Sequence, residues 1–72
     1  MSLSIENKAK LLTLQSTISD VLQAEMFDEI ACQSICSTNG WINCLIDYGI
    51  NPVEEDLENL TTSVDSFKND YL

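Results

Sequence analysis

The fold is decided by the stretch NPVEEDLENLTTSVDSFKNDY, Asn51 to Tyr71. Its apolar residues Val53, Leu57, Leu60, Val64, Phe67 and Tyr71 recur at intervals of 4, 3, 4, 3 and 4. That is a helical seam, since positions three and four apart stack on one helix face. The start is marked too. Asn51 has the side chain of an N-cap, Pro52 suits the first helical position, and Glu54 stands three residues after Asn51 in capping-box spacing. Glu54, Glu55 and Asp56 load the first turn with the sign of charge the helix dipole favours there. Thr61, Thr62 and Ser63 lower the intrinsic propensity, so packing must hold the helix.

Upstream, helical spacing recurs. Ser4 is a candidate N-cap, followed by Leu11, Leu14, Ile18 and Val21, with Leu12, Leu22 and Met26 widening the face. The run Ser16-Thr17-Ile18-Ser19-Asp20 competes for backbone hydrogen bonds. One continuous helix and two helices broken there, with Ser19 as a second cap, are both consistent with the pattern. A stripe of Leu22, Met26, Phe27, Ile30, Ala31 and Ile35 then predicts a helix to about Ser37. Ser37-Thr38-Asn39-Gly40 predicts a stop. Residues 41–48 form two turns at most, with Gly49 as the C′ residue. There Trp41 either shares a face with Leu45 and Tyr48 or plugs the core. The expected fold is all-α: one domain over residues 1–72, a bundle of three to four helices with helix-mediated oligomerisation.

Composition bounds the function. The 72 residues carry 12 acids and 3 bases, a net charge of −9, and 44% are hydrophobic. A chain this short buries only about 60% of its unfolded surface, which leaves little room for a deep catalytic pocket. No apolar run reaches the ~20 residues of a membrane span. Met1 to Glu6 lacks the charged and apolar regions of a signal peptide, so a cytoplasmic location is expected.

Histidine and arginine are absent. The default general base, the imidazole metal ligand and the bidentate phosphate clamp are therefore missing. Lys8, Lys10 and Lys68 lie near the ends, and residues 11–67 hold ten acids and no base. Direct nucleic-acid binding and anionic membranes are disfavoured. The residues Cys36, Gly40 and Ile46 fit a helix-turn-helix, but its second helix would present Asn43 and Asp47 to phosphates.

Cys32, Cys36 and Cys44 are an odd count, without paired C-x-x-C spacing, and read first as reduced core residues. A three-thiolate metal or redox site is the functional alternative. The acidic run Glu54-Glu55-Asp56 with Glu58 lacks the glycine turn of a calcium loop. No nucleophile has a histidine to activate it, so no enzyme, no metal and no cofactor are expected.

The sequence thus points to a non-enzymatic interaction module: a small acidic regulator or inhibitor of a basic partner protein, steered by charge. In type it is similar to the acidic inhibitors, DNA mimics and anti-CRISPR proteins among them, by which phages and mobile elements block nucleic-acid-binding proteins. The candidate partner surface is Asp20, Glu25, Asp28, Glu29, Asp47, Glu55, Glu58 and Asp65. The candidate partner or homodimer seam is Val53, Leu57, Leu60, Val64, Phe67 and Tyr71. The alternatives are a structural or assembly subunit acting as a helical homo-oligomer, and a thiol-based metal or redox protein.

Overall fold

The computed structural model describes residues 2–24 and 28–72. They form three helices: α1 (Ile5–Leu22), α2 (Glu29–Asp47) and α3 (Glu54–Tyr71). The bundle measures 37 × 19 × 18 Å. The one β feature among the described residues is an isolated antiparallel bridge between Ser2 and Ile50. Glu25, Met26 and Phe27, assigned from sequence to the partner surface and the apolar stripe, lie outside the described residues.

The core is built from one apolar stripe per helix. Leu11, Leu14, Ile18 and Val21 of α1 meet Ile35, Ile42 and Leu45 of α2 and Leu57, Leu60 and Val64 of α3. Leu3, Leu22, Ile46, Phe67 and Tyr71 pack around this cluster. At ~1.5–3 kcal/mol per fully buried aliphatic side chain, this cluster is the main favourable term in folding. No buried side-chain nitrogen or oxygen among the described residues lacks a hydrogen-bond partner.

α1 starts as its sequence predicts: the Ser4 hydroxyl oxygen accepts from Asn7 N at 3.1 Å. It then runs unbroken through Ser16–Asp20. Thr13 and Thr17 donate their hydroxyls back to the carbonyls of Ala9 and Thr13. Those bonds satisfy the polar side chains without opening the helix.

The predicted stop at Ser37–Gly40 is overturned. α2 continues through it to Asp47 as one helix of 19 residues. Gly40 costs a helix about 1 kcal/mol relative to alanine but does not forbid it, and Ile35, Ile42 and Leu45 are buried on both sides of it. The turn a helix-turn-helix requires is therefore missing. Trp41 neither plugs the core nor shares Leu45's buried side: it is 42% exposed and Tyr48 78%. Gly49 does close the helix, at φ 64°.

The predicted cap of α3 is also overturned. The helix begins at Glu54 with Val53 at the N-cap and no side-chain cap bond. Asn51 instead reaches across the bundle. Its Oδ1 accepts from Ser4 N at 3.2 Å and from Asn7 Nδ2 at 2.9 Å. With Leu3 N donating to Gly49 O at 2.7 Å, this straps the entry to α1 onto the α2–α3 connection. Val53 leaves the seam as well, 63% exposed.

Candidate interaction surfaces

The surface divides by charge. α3 carries Glu54, Glu55, Asp56, Glu58, Asp65 and Asp70 against the single base Lys68. Half of the chain's acids thus sit on one helix of 18 residues. Leu57, Leu60 and Val64 hold the opposite face in the core, so helical geometry turns Glu55, Glu58 and Asp65 outward. Glu54, Glu58 and Asp65 line the groove between α1 and α3, along with Lys10 and Lys68.

The other predicted partner residues are dispersed. Asp20 is exposed near the end of α1. Glu29 and Asp47 lie at opposite ends of α2, about 27 Å apart at 1.5 Å per residue. Asp28 has a structural task that the sequence reading missed. It is the N-cap of α2, its carboxylate accepting from Ala31 N at 2.8 Å. The signal in the sequence was Asp28 itself, a residue of N-cap type just before the apolar positions Ile30, Ala31 and Ile35.

Asp20 and Asp47 stand in the last turns of their helices, neither of which holds a basic residue. A carboxylate there opposes the helix dipole, at a cost of about 0.3–1 kcal/mol. Among the described residues the one ion pair is Lys10–Glu6 at 3.6 Å, both side chains largely exposed. It neutralises no part of α3.

The groove between α2 and α3 is different. Ile30, Gln33, Ser34, Ser37, Thr38, Thr62, Ser63, Ser66 and Phe67 line it, and none is charged. The predicted seam of α3 is mostly internal: Leu57, Leu60 and Val64 are core residues, and Phe67 and Tyr71 are half-buried against them.

The three cysteines are free, and Cys36 and Cys44 are exposed rather than in the core. Twelve residues of helix put Cys44 about 18 Å along α2 from Cys32, too far for one ion to join all three thiols of one chain. No group of three or more candidate ligands that could hold a metal occurs among the described residues. The Cys32 thiol is raised above the usual value, first by its hydrogen bond with Cys36, then by burial and by the charges of Cys36 and Glu29. It is thus the protonated, less nucleophilic form near neutral pH.

No helix among the described residues is long and apolar enough to cross a membrane. No protein-family model, curated protein or solved structure matches this chain.

Proposed function

We propose that this protein acts by binding rather than by catalysis, as a small acidic regulator or inhibitor that docks the outward face of α3 onto a basic surface of a partner protein. The observation that carries the reading is the concentration of charge on that helix, six acids to one lysine, with Glu55, Glu58 and Asp65 exposed.

Such a surface steers association toward lysine- and arginine-rich patches. The basic clefts of nucleic-acid-binding proteins are the partner class of matching sign. A row of helix carboxylates occupies them as phosphates do. The test is binding to a panel of purified nucleic-acid-binding proteins at low and high salt. Binding that weakens steeply with salt and competes with nucleic acid is expected. Binding to none of them, or salt-insensitive binding, contradicts the reading.

A further inference from the structure

The continuity of α2 narrows the three cysteines to a pair. Cys32 and Cys36 stand four residues apart in the first half of an unbroken helix, so their side chains lie one above the other on one face. Both thiols are free, Cys36 exposed and Cys32 half-buried, and the two hydrogen-bond to each other. Cys44 stands apart from them, about 12 Å along the axis from Cys36 and about 80° round it.

Geometry decides what the pair can hold. Neighbours one helical turn apart have Cβ atoms about 5–6 Å from each other. A disulfide needs about 3.5–4.5 Å, so the pair does not close on itself while the helix stays intact. An ion between the sulfurs removes that conflict. Two metal–sulfur bonds of about 2.3 Å, the length found at zinc, bridge up to ~4.6 Å between sulfurs. Two thiols on adjacent turns reach that span without unwinding the backbone.

We propose that Cys32 and Cys36 form a two-thiolate site for a soft monovalent cation, copper(I). Ligand number selects the metal. Zinc takes at least three protein ligands, and no group of three or more candidate ligands occurs among the described residues. Two thiolates complete the shell of a linear copper(I) ion, and soft sulfur ligands select that ion. Charge favours a cation as well. α2 has no basic residue, and Glu29 shares the face, three residues before Cys32. The Glu29 charge bears directly on that thiol, and Asp28 adds a second carboxylate at the same end of the helix. Such a field disfavours a bare thiolate and draws in a positive ion. Binding is an exchange. Two copper–sulfur bonds form as two S–H bonds break, two protons leave to solvent, and no electron is transferred. The outward acids of α3 take no part, so this site and the α3 docking stand or fall separately.

The test is titration of a coloured copper(I)–chelator complex with the reduced full chain under nitrogen. The native chain is expected to remove one copper per chain and to release two protons for each ion bound. Cys44→Ser should match it. Cys32→Ser and Cys36→Ser should each weaken copper capture at least tenfold, with helicity by circular dichroism unchanged. Sedimentation of the loaded chain should give the 8.0 kDa monomer. No transfer to the native chain overturns the proposal. So does capture that survives either single substitution, capture that requires Cys44 or two chains per ion, or tighter retention of zinc than of copper(I).

Discussion

Asn51 Oδ1 accepts a hydrogen bond from Asn7 Nδ2 at 2.9 Å, 44 residues away in sequence. The same oxygen takes Ser4 N, so one amide ties the start of α1 to the segment before α3. Asn51→Ala is expected to cost about 0.5–1.5 kcal/mol for the lost bond, within the usual range for part-buried hydrogen bonds. A double-mutant cycle with Asn7→Ala should be non-additive. Were Asn51 only a helix cap, as its position before Pro52 suggests, the two substitutions would add. Urea denaturation of the four proteins decides.

The two glycines should respond to alanine with opposite sign. Gly40 lies within α2, and a Cβ there meets nothing within 4 Å. Gly40→Ala is expected to stabilise by about 0.5–1 kcal/mol. Gly49 has equally open space but φ near +64°, a left-handed conformation that costs a side chain about 1 kcal/mol or more. Gly49→Ala should therefore lower the melting temperature as Gly40→Ala raises it.

The heptad pattern of α3 separates into core and surface. Leu60 is fully buried, and Leu60→Ala is expected to cost about 2–5 kcal/mol, enough to unfold much of a domain this small. Val53, one of the six seam positions by spacing, is mostly exposed. Val53→Ala should shift stability by less than about 0.5 kcal/mol. Thermal melts followed by circular dichroism report both.

Cys32 provides a pH-dependent signature. Its thiol is raised above the ordinary value, so the folded chain holds the proton more tightly than the unfolded one does. The associated stability is complete below the unfolded thiol's pKa and declines as pH climbs from that value through the higher folded one. Alkylation of Cys32 in a chain carrying Cys36→Ser is the wrong probe, because it removes the main cause of the shift. Mass-resolved alkylation of the native chain is the right one. Cys32 modification should keep accelerating above the pH at which the urea-unfolded chain has levelled off.

Much of the fold was legible because periodicity reports packing directly. Leu11, Leu14, Ile18 and Val21, and then Leu57, Leu60 and Val64, are core residues at the positions their spacing predicts. What was not legible turned on residues with two uses. Gly40 following Ser37-Thr38-Asn39 is local punctuation, yet the buried Ile35, Ile42 and Leu45 around it outweigh a propensity cost of about 1 kcal/mol. Asn51 carries a capping side chain, yet its oxygen gains two partners on α1. The acids were readable as a sum, but their sorting depends on the fold. Asp28 caps α2, whereas Glu55, Glu58 and Asp65 share the outward side of α3.

The central claim, that the outward carboxylates of α3 dock onto a basic partner, is tested most directly by charge reversal at two exposed positions. Glu55→Lys with Glu58→Lys changes the net charge from −9 to −5, each substitution adding two, and leaves the core untouched. Binding to a basic partner from the panel, measured by titration calorimetry at low salt, should weaken at least tenfold, corresponding to about 1.4 kcal/mol. The melting temperature should fall modestly, because Glu55→Lys sets a cation in the first turn of α3 at a cost of about 0.3–1 kcal/mol, with the fold retained. Undiminished affinity in a folded double variant would contradict the account.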